Sequence, residues 1–205
     1  MRPSAPLAAV LLVLAAASCA TRQPMTGQAA SDVDRKLSTF AYIEDGKLVT
    51  FIVDTRATRY REKERYIPVE IAIAVRGVKQ LTLTRESFTL SDDAGGRYPC
   101  ASPRELLENY DYLDLDRNLA ELSEIVFNRF AAMTFYPSKL SPTRRPSRPG
   151  ESAVVTDNVQ LPRFGYLMDM IYFPTPTTGL KGHKFELTMT APELTEPIFV
   201  KFEVK

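Results

Sequence analysis

The chain has 205 residues, 44% hydrophobic and 25% charged, which is the composition of an ordinary globular domain and not of a disordered one. Its 26 basic and 25 acidic residues leave a formal net charge of +1, so the basic excess of a nucleic-acid binder is missing and no nucleic-acid partner is expected. Two cysteines and one histidine are too few for a standard zinc site, and no metal or cofactor is expected.

In chain order, Arg2 precedes an apolar run from Leu7 to Ala17 that ends in Leu14-Ala15-Ala16-Ala17-Ser18-Cys19. Positive charge, apolar run and small residues follow the order of a secretory signal peptide, and the run falls short of the roughly 20 residues of a membrane span. The small residues leading into Cys19 resemble the lipobox of bacterial lipoproteins. That resemblance implies cleavage before Cys19, acylation of its thiol and new amino group, and attachment to a membrane through that lipid. With Ala20 rather than Asp next in line, it further implies, if the cell is Gram-negative, the outer membrane, with the domain facing the periplasm. The expected organisation is a signal peptide over 1–18, a flexible polar tether over 19–38 and one domain over 39–205. If Cys19 carries lipid, Cys100 has no disulfide partner and is expected as a small buried hydrophobe.

Ordered structure is expected to begin near Phe40. Asp45-Gly46 supplies a turn, because glycine tolerates the positive φ of tight hairpins, and 48–53 follows as an apolar β-branched strand. The alternating charges of 54–65 predict a solvated loop or edge hairpin. Residues 66–75 are the clearest strand. Ile67, Val69, Ile71, Ile73 and Val75 point one way, and Pro68, Glu70, Ala72 and Ala74 form a partly polar opposite face. Pro68 predicts that the first residues of the strand lie at an edge. Leu81 and Leu83 share a parity that Phe88 and Leu90 break, so a bend near Arg85-Glu86-Ser87 must reset the face or start a new strand. Asp92-Asp93-Ala94-Gly95-Gly96 reads as a hairpin turn.

The texture then becomes helical. Ser102-Pro103-Arg104-Glu105 is a capping box with proline at the first helical position, predicting a helix to about Asn109. Leu115, Leu119, Leu122, Val126 and Phe130 predict a second helix over about 116–131, capped by Asp114 or Asp116. Residues 141–150 read as an exposed loop, and Arg144, Arg145 and Arg148 are its candidate interaction residues. Strands return at 153–156, 159–161, 164–173, 184–190 and 198–204. The expected fold is mainly β: an immunoglobulin-like antiparallel β-sandwich with a two-helix insertion at about 102–131, preceded by a cleaved signal helix and a flexible tether.

Little catalytic chemistry is legible. His183 is the single histidine, without a Gly-x-Ser-x-Gly elbow anywhere, and is expected in an exposed loop. Asp114-x-Asp116-x-Asn118 begins like a calcium loop, but Leu119 replaces the glycine needed for its turn. Tyr110, Tyr112, Phe135, Tyr136, Tyr166, Tyr172 and Phe173 are expected mostly in the core, with a carbohydrate or peptide groove as the other reading. The sequence therefore points to a non-catalytic binding or structural module, not an enzyme, whose partner is the membrane through Cys19 together with an envelope protein or glycan. The competing expectation is a lipid-anchored hydrolase of envelope glycans or esters, whose mark would be two carboxylates with raised pKa values.

Overall fold

The computed structural model describes residues 36–137, 140–142 and 155–205. The signal peptide, Cys19 and the loop arginines Arg144, Arg145 and Arg148 lie outside the described residues. In chain order the strands β1 (Ala41–Asp45), β2 (Val49–Asp54), β3 (Tyr66–Val75), β4 (Gln80–Thr84), β5 (Phe88–Asp92) and β6 (Arg97–Pro99) come first. The helices α1 (Pro103–Asn109), α2 (Leu113–Arg117) and α3 (Leu122–Arg129) follow. The chain then forms β7 (Thr134–Phe135), β8 (Asn158–Pro162), β9 (Gly165–Pro174), β10 (Lys184–Met189) and β11 (Ile198–Glu203).

The protein is mainly β. One sheet has the order β1-β2-β3-β9-β7, a second the order β11-β10-β5-β6, and β4 and β8 form a two-stranded ribbon. Strand periodicity explains the core. The odd-numbered side of β3 joins Phe51 and Val53 of β2 and Ile171 and Phe173 of β9, and Leu90, Leu187, Val200 and Phe202 of the second sheet belong to the same buried cluster. Burying each such side chain contributes about 1.5–3 kcal/mol, so this face-to-face packing dominates the stability. The chain passes between layers where the sequence shifts parity: a 3-10 turn at Arg85–Ser87 separates β4 from β5. β3 and β9 pair, and so do β4 and β8, so one two-stranded ribbon bends over at residues 76–79 and 163–164.

The even-numbered side of β3 is not a polar outer face, contrary to expectation. All ten residues of β3 are buried. Ala72 and Ala74, with Ile52, Ala41 and Ile43, make a shallow apolar floor on which Leu122, Val126 and Phe130 of α3 rest. Small side chains at 72 and 74 let the helix approach the sheet closely. Pro68 does occupy a local edge. The β2 ladder stops at Asp54↔Glu70, so on that side the missing N–H of Pro68 disrupts nothing. Its carbonyl accepts the Thr58 hydroxyl instead.

The expected two-helix insertion is three helices. α1 matches its prediction: Ser102 Oγ accepts the Glu105 N–H while Glu105 reaches back to the Ser102 N–H. The second expected helix is divided into α2 and α3, and neither Asp114 nor Asp116 caps it. Asp116 lies inside α2, fully buried, and the start of α3 is capped from the sheet, as described below. The charged run after β2 is a solvated loop only in part: Lys63 and Arg65 are exposed, but Thr55, Ala57 and Thr58 are buried and Arg61 pairs with Asp116. Of the strand expected at 153–156, Val155 and Thr156 are irregular and the rest lies outside the described residues. No helix among the described residues is long and apolar enough to cross a membrane.

Candidate functional site

One group of ionisable side chains lies between the five-stranded sheet and the helices. Asp54 ends β2 and Glu70 lies directly opposite it on β3, so both carboxylates project to the helical side as a cross-strand pair. Both are buried. Glu70 Oε2 accepts the backbone N–H groups of Glu121 at 3.0 Å and Leu122 at 3.1 Å, two donors that the first turn of α3 leaves unsatisfied. A glutamate on a strand thus supplies the cap that the helix's own sequence lacks. Burial pushes the Glu70 carboxyl up to about 8, with the negative charge of Asp54 adding to it, against the Leu122 N–H and Arg56. Burial also raises Asp54, opposed by the Arg56 N–H at 2.7 Å and the Arg56 guanidinium. Arg56 in turn pairs with Glu121, tying the segment after β2 to the start of α3.

A second group lies under α1 and α2. Asp116 accepts Arg61 Nε and the Tyr110 hydroxyl, each at 2.6 Å. The Arg61 guanidinium lies 4.3 Å from the centre of the Tyr112 ring, and Tyr110 packs edge-on against Tyr66 and Tyr172 at 6.0 and 5.5 Å. Burial raises the pKa of Asp116 despite both donors. This arrangement removes the calcium-loop geometry. Residues 113–117 are helical, so Asp114 and Asp116 diverge around α2, and both Asp116 oxygens are already engaged. Tyr110, Tyr166, Tyr172 and Phe173 are core residues, as expected, whereas Phe135 is exposed.

The Asp92–Gly96 turn is a hairpin turn between β5 and β6. Asp92 accepts the Gly96 N–H and the hydroxyls of Tyr98 and Thr178. Burial pushes its carboxyl up, and these bonds together outweigh that and hold it below the usual range. Asp93 takes His183 Nδ1 at 2.8 Å and the Lys184 N–H at 3.1 Å. His183 is therefore half-buried and fastened to the turn, rather than a free loop residue. Cys100 is a free, half-buried thiol against the main core, and burial pushes it up to about 12. In a Cys19→Ser chain, the Cys100 thiol should react with a disulfide reagent at pH 8 about a thousandfold more slowly than after unfolding in denaturant. Equal rates would show a reactive thiol.

Asp54 and Glu70 were not evident from sequence as a pair, since their juxtaposition depends on the β2–β3 register. A trace of the arrangement is present: a lone glutamate among Pro68, Ala72 and Ala74 marks a strand face with room for a helix and one polar anchor for it. Among the described residues no group of three or more histidine, cysteine or acidic side chains is placed to hold a metal ion. Comparison with protein-family models, with curated proteins and with solved structures finds no match.

Proposed function

We propose that this chain is a lipid-anchored protein of the bacterial cell envelope whose immunoglobulin-like sandwich works as a non-catalytic binding or structural module. The signal and lipobox residues at 1–19 carry the anchoring half of this reading. The other half rests on one observation: the carboxylates with the strongest chemistry are engaged in holding the helices to the sheet. Glu70 faces the first turn of α3 and accepts its N–H groups, so a substrate would reach it only if α3 lifted. Packed antiparallel sheets support the immunoglobulin-like assignment, while the consecutive β1-β2-β3 meander differs from the sheet change that the immunoglobulin order makes after its second strand. Arg144, Arg145 and Arg148 remain the proposed contact residues of the loop at 141–150.

The second reading, a lipid-anchored hydrolase, has one observation in its favour, the opposed Asp54 and Glu70 with raised pKa values. Purified chain assayed on envelope glycans and esters separates the two. Turnover that Glu70→Gln abolishes at unchanged stability would establish the hydrolase and overturn the module. The anchor is tested separately. Cys19→Ser should eliminate labelling by radioactive palmitate in cells and leave the precursor uncut, and labelling that persists in the variant would refute lipidation at Cys19.

A further inference from the structure

Seven large apolar side chains are exposed among the described residues, and three of them lie at one end of the domain: Leu48 at 39%, Phe135 at 46% and Phe164 at 54%. Hydrogen bonds hold this end together. The N–H groups of Arg76 and Gly77 donate to the Leu48 carbonyl, the Phe164 N–H donates to Val75, and the Thr134 N–H donates to the Phe164 carbonyl. A Cβ on Gly77 would sit 2.7 Å from Leu48 Cδ2, so the 76–79 turn lies tight against Leu48. α3 starts at Glu70 and ends with Arg129 paired to Asp45, which brings its last turn toward the same end. Phe164 has φ of 62°, an uncommon conformation for a bulky residue, and the turn there holds its ring outward in solvent.

The charge around these side chains is one-sided. Lys47, Lys79 and Arg163 are exposed and make no ion pair among the described residues. Arg163 lies over the Phe164 ring at 4.8 Å and donates to the Arg76 carbonyl. Arg76 and Arg129 share the single carboxylate of Asp45. In a chain with a net charge of only +1, this end combines a surplus of cations with protruding aromatic rings. Rings at the level of lipid headgroups with lysine and arginine around them are how proteins seat on an anionic bilayer surface.

We infer that the turns at 45–48, 76–79 and 163–164, with Phe135 beside them, form a docking surface for anionic phospholipid. This deepens the module reading by naming a partner for it, and it does not depend on acylation of Cys19. Residues 36–40 lead into the far end of β1 from this surface. The 18 residues from Cys19 to Lys36 can reach about 55 Å at full extension, several times the length of that strand, so the anchor and this surface can share one bilayer.

The chain has no tryptophan, so Phe164→Trp creates a single reporter at this end and Tyr60→Trp one at the opposite end. Both are placed in the chain from residue 19 onward with Cys19→Ser, so that neither signal segment nor lipid anchors it, and mixed with vesicles of phosphatidylglycerol and phosphatidylcholine, or of phosphatidylcholine alone. Phe164→Trp emission should shift to the blue and be quenched by brominated lipid on the anionic vesicles only, while Tyr60→Trp emission stays unchanged. Adding Lys47→Gln or Lys79→Gln should weaken the association about fivefold each. Phe135→Trp, free of positive φ, repeats the test if Phe164→Trp does not fold. The inference is overturned if Phe164→Trp and Phe135→Trp stay in water, if Tyr60→Trp responds in their place, or if neutral vesicles act equally. It is also overturned if the emission moves only with an added acidic protein. Insertion of Phe164→Trp together with failed palmitate labelling would separate this surface from the anchor.

Discussion

Between about pH 4.5 and 8 the domain should lose stability as pH rises, and Glu70→Gln should remove most of that loss. The sign follows from burial. In the fold, burial pushes the Glu70 carboxyl up to about 8, against an ordinary value of 4.5. A proton that the unfolded chain has already released is thus still held by the folded one. The contribution is complete below 4.5 and declines through the folded value, on the order of 4 kcal/mol across the interval. Asp54, also raised by burial, acts in the same direction. Asp45, Asp92, Asp93 and Glu105 act in the opposite direction: their lowered carboxyls add stability above their ordinary range and lose it as the solution becomes more acidic. Denaturant unfolding followed across pH should therefore show a maximum on the acid side of neutrality. Glutamine keeps an oxygen for the Glu121 and Leu122 N–H groups without a charge to bury. Glu70→Gln should match the parent near pH 5 and exceed it at pH 8. Glu70→Ala should lose about 2–4 kcal/mol at pH 5, through the lost cap and the cavity. A parent whose stability is flat from pH 5 to 8 would refute this account.

The largest part of this dependence is invisible in sequence because Glu70 meets α3 across some fifty residues of chain. Strands with period-two patterns, such as 66–75 and 198–203, and the self-contained capping box at Ser102 were legible because their determinants lie within a few residues. The division between α2 and α3 was not. The spacing of Leu115, Leu119, Leu122, Val126 and Phe130 describes one helix. The chain starts a new one at Leu122 because Glu70, some fifty residues earlier, takes up the new N–H donors, and Leu115 stays exposed. The buried part of the charged run after β2 was not legible for the same reason: the partner of Arg61 is 55 positions away. β7, two residues in parallel with β9, is too short to carry any pattern. The placing of exposed apolar residues from three separate segments at one end of the fold likewise depends on topology that no local window contains.

Asp116 is the position where a single substitution should cost most. Its carboxylate is completely buried and compensated by two donors, Arg61 Nε and the Tyr110 hydroxyl. Asp116→Ala would leave a largely buried guanidinium and a buried hydroxyl without their acceptor, at about 3–5 kcal/mol. That is a large part of the 5–15 kcal/mol typical of a domain. Tyr110→Phe removes one donor and leaves the ion pair, so it should cost about 1.5–3 kcal/mol. A buried pair is weak evidence for net stabilisation, since bringing both ions out of water offsets their attraction. The decisive variant is consequently Arg61→Met with Asp116→Leu. If the cluster fixes where α1 and α2 sit without adding net stability, the double variant should come within about 2 kcal/mol of the parent, although Asp116→Ala alone is severe. Chemical unfolding of the three variants and the parent gives the comparison. A double variant as unstable as Asp116→Ala would mean that the ion pair itself stabilises the packing of the helices on Tyr66 and Tyr172, and a mild Asp116→Ala would mean that water reaches Arg61 once the carboxylate is gone.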